Sequence, residues 1–543
     1  MSQVASVVLS NLAERSTLLL VLAVVFSTSY LLPRLRIRQR LDQIPLMGQE
    51  IGGYYKRRNE FLRDPMRFYW EGYQKCKNKA FRVTHYEGER IVLPGTALDE
   101  LWNMSEAVLN KNRAYDQSIE TIHWVAIRQS FSSPLHPFRL NTKSELEQIN
   151  NTLVSEVEKT VDQTIGTCED WTSHPIYRTS LRIVAIVSGS VYVGPIVCRN
   201  EQFIHDSSKS EAYLVFRPGR WEYLTYNRLA VHFTENVLTA VHMLQMYPGW
   251  MRPFARFFKR ERTQLAKSWA HLKASKKLVM PIIQQRREEV QATGAEYNDM
   301  LAWMMAKQEE WKQTDDDLAG SMVQLGVAST HNTSSTIAQT LYQLAIRPEL
   351  VKELREEVKR VCAQFDGKLS PSALHELKIL DSVMKEAQRL NPTTPSHFHR
   401  YVEKDITLKD GTFIPKGITV EAIFAPPLFD PVLFPDPQKF DPYRFLKLRR
   451  GETQDPNGYK NKEQYTFSHA TKENLAWGYG AHVCPGRYFA NNEIKLILAR
   501  MILQYDIRMP GGVNEEMKPQ RAGMGWVPNL RKPIEFRAVK EEA

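Results

Sequence analysis

The chain reads as mainly α-helical with small β-sheets, on three observations. The stretch 317–347 is long, helical in character and rich in small residues at its middle: Gly326, Ala328, Ser329 and Thr330. A hydrophobic helical pattern opens at Tyr488, just behind a Pro485–Gly486 step. The extended runs are short by comparison. Phe81-Arg-Val-Thr and Arg90-Ile-Val-Leu flank a Glu87–Gly88 turn as a β-hairpin, and 406–417 reads as strand, turn, strand.

The stretch 475–490, LAWGYGAHVCPGRYFA, is the one the other segments serve. It sets Cys484 between a glycine-rich run (Gly478, Gly480) and the helix start. The glycines let the backbone turn tightly and pass close to something large and flat. The free N–H groups of a helix start favour the anionic form of a cysteine placed just before it. A buried thiolate with no second Cys or His at metal-ligand spacing suits a single axial bond to haem iron. A buried, inert cysteine in a turn is the other reading of the same residues.

Trp477-Gly-Tyr-Gly-Ala-His-Val-Cys484-Pro-Gly-Arg resembles the haem-binding signature of the cytochrome P-450 superfamily, Phe-x-x-Gly-x-Arg/His-x-Cys-x-Gly. Trp477 stands where the family has Phe, His482 takes the Arg/His place, and Gly486 is the closing glycine. The resemblance implies haem b with Cys484 as its axial thiolate, and Trp477, Gly478, His482 and Gly486 around it. It also implies the cytochrome P-450 fold: one large haem domain over 41–543, behind an amino-terminal anchor over 1–40. Length alone, at 543 residues, would permit several domains.

From the amino terminus onward, 17–32 is apolar and uncharged, and Arg34, Arg36, Arg38 and Arg40 follow it. Charge after the apolar run argues against a cleaved signal peptide and leaves the arginines, with all beyond them, in the cytosol. This reads as a signal anchor of the endoplasmic reticulum membrane. Five scattered cysteines fit a reducing compartment better than a disulfide framework. The net charge of +11 is spread along the chain, which calls for no nucleic acid. It suits an anionic membrane and an acidic reductase, with Arg449, Arg450, Lys472 and Arg487 as candidate docking cations. The segment 44–53 reads as a hinge between anchor and globule.

Trp124 and Arg128, at i and i+4, share a helix face. In the family such a pair reaches a haem propionate; a core Trp with a surface Arg is the plain alternative. The segment 247–258 mixes aromatics and arginines around two prolines, suiting either a lipid headgroup region or a packed connection. Within 317–347, Ala328-Ser329-Thr330-His331-Asn332-Thr333 resembles the family's oxygen-handling motif, with His331 at the acid position and Asn332 at the threonine position. An amide can donate and accept hydrogen bonds but cannot relay a proton as a hydroxyl does. Either Asn332 orders water, or Thr333 or the substrate supplies the hydroxyl, or the chemistry is not ordinary hydroxylation.

Glu386 and Arg389, at i and i+3, make an ordinary surface pair by themselves. With Arg444 downstream they resemble the family's buried Glu–Arg–Arg cluster. Arg400 is a further candidate propionate partner. By position in the family plan, 114–122, the central helix from Gln324, 393–398 and 523–526 are candidate substrate-lining stretches.

The expectation is a haem-thiolate monooxygenase of fungal microsomal type. It inserts one oxygen atom from O2 into a hydrophobic small molecule, a terpenoid or other secondary metabolite, with electrons from a separate NADPH–cytochrome reductase. Asn332 keeps open an isomerase or dehydratase on the same fold, and a non-catalytic haem carrier is the third class.

Overall fold

Phe81–His85 and Gly88–Leu93 pair antiparallel within the first of two compact units, Met1–Ala114 with His399–Ala422. The structure, a computed structural model, describes residues 39–118, 143–194, 239–514, 516–522 and 525–540, positions 242 and 248 excepted. The apolar run 17–32 and the pair Trp124 and Arg128 lie outside these residues.

The hairpin turns at Tyr86 and Glu87, one residue ahead of expectation, because His85 pairs with Gly88 and closes a two-residue loop. The hairpin joins a five-stranded sheet in the order Phe81–His85, Gly88–Leu93, Thr419–Ile423, Ser396–Val402, Leu109–Asn110. Helices Tyr54–Arg63 and Pro65–Cys76 bury Phe61, Phe68 and Tyr69. Asp64 accepts from the Arg67 N–H and Pro65 occupies the first turn, where no amide proton is missed. At Gly72 a Cβ would lie 2.2 Å from the Phe81 ring, so only glycine permits this approach of helix to strand.

The segment 44–53, read as the hinge between anchor and globule, is held to the sheet over its first residues. The Met47 N–H donates to Arg82 O at 2.9 Å, the Arg82 N–H donates to Pro45 O at 2.7 Å, and Ile44 and Met47 are buried. Two apolar side chains and a pair of ladder bonds gain more against the sheet than in water.

The second unit, Tyr115–Phe398 with Ile423–Ala543, holds the longer helices. They are α1 (Lys143–Ile165), α2 (Ile176–Val193), α3 (Lys259–Thr293), α4 (Asp315–Ala345), α5 (Pro348–Gln364), α6 (Lys378–Leu390) and α8 (Arg487–Gln504), with the short α7 (Arg444–Arg450) ahead of α8. Helices α2, α3 and α6 pack on α4, while α1 and α5 pack on α8. Leu318, Met322, Ile337 and Leu341 of α4, Ile183 and Val187 of α2, and Ile497 and Met501 of α8 belong to one buried cluster. Helix α4 starts two residues earlier than expected because Thr314 and Asp317 form a capping box. It ends at Ala345, since Pro348 disfavours helical backbone at Arg347 and opens α5.

Candidate active site

The Cys484 loop is built from its own backbone. The Cys484 N–H donates to Trp477 O at 2.7 Å, and the Gly478 N–H donates to Leu475 O at 2.8 Å. Gly478 has φ 77°, and a Cβ there would meet His482 O at 3.2 Å, so the turn needs glycine. His482, half-buried, closes a single 3-10 turn from Gly480. Gly486 is the N-cap of α8 and adds no side chain to the open space beside it. Cys484 is half-buried and in no disulfide, two residues ahead of the N-cap of α8, whose first N–H groups favour an anion. The residues fit a haem held through one sulfur: a single thiol at a helix start, in a loop whose glycines clear its approaches.

Trp477 uses its larger ring for a bond that phenylalanine cannot make. Its indole Nε1–H donates to Phe467 O at 2.7 Å, and the two rings meet edge to face. Among the candidate docking cations, Arg449 turns inward. Its guanidinium donates to both Glu463 carboxylate oxygens at 3.0 Å and leaves little charge for a partner. Arg487 donates to Cys484 O at 3.0 Å.

The Glu386 cluster forms as expected from the resemblance. Arg389 donates to both Glu386 oxygens at 2.8 Å, and Arg444 donates to Glu386 Oε1 at 3.0 Å. Arg389 also donates to Leu428 O and Pro437 O, so α6 is tied to the 428–444 segment.

On α4, Ala328 and Asn332 are exposed, one turn apart, while the helix is otherwise largely buried; His331 is half-buried and Thr333 buried. Asn332 therefore has the open face that Thr333 lacks. His331 Nδ1 lies 3.0 Å from the Tyr177 hydroxyl of α2. The small residues also follow the plain reading of back-bonding: Thr330 donates to Gly326 O and Ser334 to Thr330 O, both at 2.6 Å.

Three side chains that the sequence did not single out stand between the helices. Tyr192 of α2 lies beside Ser329 and Ser188 and within electrostatic reach of Glu493 and Cys484. Burial, and then the Glu493 carboxyl, raise its hydroxyl above the ordinary tyrosine range. Ser188 donates to Glu493 Oε1 at 2.7 Å, while Glu493 Oε2 is buried without a hydrogen bond. Burial pushes the Glu493 carboxyl up to about 8, against the Ser188 hydrogen bond. Glu493 stands in the polar stretch Asn491-Asn492-Glu493-Ile494-Lys495 ahead of the apolar run of α8, and nothing local marked it, Tyr192 or Ser188.

The folded-state value of Glu493 is above its ordinary 4.5, so stability is complete below 4.5 and declines as pH rises to about 8. Glu493→Gln should remove that decline and gain on the order of 3 kcal/mol over the native protein near pH 8. Urea unfolding of both proteins across this range checks it; parallel pH curves would contradict it.

In the first unit, Arg400 is buried and donates to His399 O at 2.8 Å. Burial lowers its guanidinium to about 10, with Glu106 opposing, so this site would gain from a further carboxylate. Of the candidate lining stretches, 393–398 is joined by Trp526, whose N–H donates to Thr393 O at 3.0 Å.

The cytochrome P-450 family model matches residues 102–534. A cytochrome P-450 monooxygenase of Emericella nidulans is 31% identical across 92% of this chain and 88% of its own length. One of Annulohypoxylon truncatum is 28% identical across 90% of this chain and 92% of its own. One of Penicillium paxilli is 28% identical across 86% and 84%. The chain belongs to the cytochrome P-450 family and is a monooxygenase, of the kind that holds haem b through a cysteine thiolate.

Proposed function

We propose that Cys484 is the thiolate ligand and that the enzyme inserts one oxygen atom from O2 into a hydrophobic small molecule, a terpenoid or related secondary metabolite. NADPH supplies the electrons through a separate NADPH–cytochrome reductase. The apolar run 17–32 holds the protein at the endoplasmic reticulum membrane, with the catalytic domain in the cytosol. The observation that carries the reading is Cys484 at the start of α8 inside a glycine-shaped turn. Haem b, when bound, supplies the cleavage of dioxygen that thiolate donation favours.

The chain's own residues do the rest. Asn332 presents its amide on the open face of α4 and orders water there, and His331, held by Tyr177, is the adjacent titratable group. Arg128 and Arg400 would neutralise the haem propionates, and the Trp124 indole N–H would donate a hydrogen bond to one of them. Exposed Phe254, Phe257 and Phe258, beside exposed Lys259 and Arg260, suit contact with lipid headgroups.

Reconstitution with reductase and NADPH, over a panel of terpenoid and indole-derived substrates, tests the activity. Oxygen uptake with a hydroxylated product is the expected result, and turnover without oxygen uptake would sink the reading. Asn332→Ala should cut product formed per NADPH by roughly tenfold or more while NADPH oxidation continues. Unchanged coupling would remove Asn332 from the water-ordering role.

A further inference from the structure

Helix α6 holds a second segment besides the one gripped by Glu386 and Arg389. Asp381 and Lys385, at i and i+4 on α6, are both buried. The Phe467 N–H donates to Asp381 Oδ2 at 2.9 Å. Lys385 Nζ donates to Thr466 O at 2.8 Å and Gln464 O at 3.2 Å. The next carbonyl in line, Phe467 O, accepts the Trp477 indole N–H, and Trp477 O accepts the Cys484 N–H. A continuous chain of hydrogen bonds therefore runs from α6 through 464–467 to the cysteine loop.

We propose that Asp381 and Lys385 are positioning residues for the haem-thiolate loop: by fixing the Thr466–Phe467 peptide they set the direction of the Phe467 carbonyl and hence the plane of the Trp477 ring beside Cys484. The proposal rests on Cys484 being the ligand. Phe467 is fully buried, so the indole is the donor that satisfies its carbonyl, and a misdirected carbonyl would have no water to turn to. Bonding at both ends of that peptide polarises it and strengthens each bond. Trp477 is thus more than an enlarged phenylalanine, because its N–H completes an arrangement that α6 imposes from outside the loop.

The charges around this clamp give it a pH dependence. Asp381 is bonded to Lys495 of α8 at 2.8 Å and faces Arg449 of α7 at 3.9 Å, and Arg449 is shared with Glu463. His469 faces Lys385 and Arg487. Burial lowers Lys385 to about 7, with Asp381 opposing and Arg449 adding. A neutral amine has two N–H bonds for the two carbonyls. Its folded-state value lies below the ordinary 10.5, so its contribution to stability is complete above 10.5 and is lost as pH falls toward 7.

The test uses the holoenzyme and follows how long the thiolate band of its reduced carbon monoxide complex survives at mild temperature. Lys385→Met and Trp477→Phe should each shorten that lifetime roughly tenfold, and the double variant should be no worse than either single one. Lys385→Gln, a neutral donor, should restore most of the loss. The pH dependence of urea unfolding that belongs to Lys385 should flatten in Lys385→Met. Additive effects of the two substitutions, or a Lys385→Met variant with a lowered unfolding midpoint but an unchanged band lifetime, would overturn the proposal. Absence of the band in the unsubstituted protein would instead refute the ligand assignment, and the proposal with it.

Discussion

Cys484→Ala should eliminate the thiolate band of the reduced carbon monoxide complex and with it all turnover, while the helical content stays as it was. The substitution removes the sulfur but keeps the Cys484 N–H that donates to Trp477 O, so the loop retains its backbone closure. The other described cysteines are poor replacements. Burial pushes the Cys76 and Cys362 thiols up, away from the anionic form a ligand requires. Cys168 is buried, with its sulfur 3.3 Å from Ile165 O. Difference spectroscopy on the purified variant is the measurement, and a band that survives the substitution would show that the sulfur assignment is wrong.

Glu386→Ala should destabilise the second unit by roughly 3–5 kcal/mol, the largest effect expected away from the cysteine. The carboxylate is fully buried and accepts from Arg389 at 2.8 Å and from Arg444 at 3.0 Å. It also accepts the Asp441 N–H at 3.2 Å. Its removal leaves two guanidiniums facing one another, one of them almost wholly out of water, with no counter-charge between them. Replacing Glu386 and Arg389 together with apolar residues should cost less than Glu386→Ala alone, because the stranded charge then goes too. Denaturant midpoints, with haem content measured alongside, decide it. A loss within about 1 kcal/mol would mean the cluster is screened like a surface pair.

Much of the site was open to reading along the chain. Cys484, Gly478 and Gly486 are a local pattern, because a tight turn and a helix start are set by residues within a few positions of one another. Glu386 and Arg389 are visible as an i, i+3 pair, although spacing alone would have left them on the surface. Their burial depends on Arg444 and on the carbonyls of Leu428 and Pro437, which arrive from far along the chain. Arg449 misled for the complementary reason. A basic residue at the end of a short helix looks like surface charge until buried Asp381 of α6, with Glu463 from farther along the chain, holds it inward.

The order of residues settled where helices and turns begin and end, because caps, prolines and glycines act over one or two turns. It settled the loop that carries Cys484 as well. Which faces of the helices meet was left to packing. Asn332 is open and Thr333 enclosed although they are neighbours on α4, a helix packed by α2, α3 and α6. The same packing brings Tyr192, Ser188 and Glu493 together and joins Lys385 to Trp477. Such meetings depend on long-range burial of apolar surface: the periodicity of each helix marks a face to be buried and does not name the distant segment that buries it.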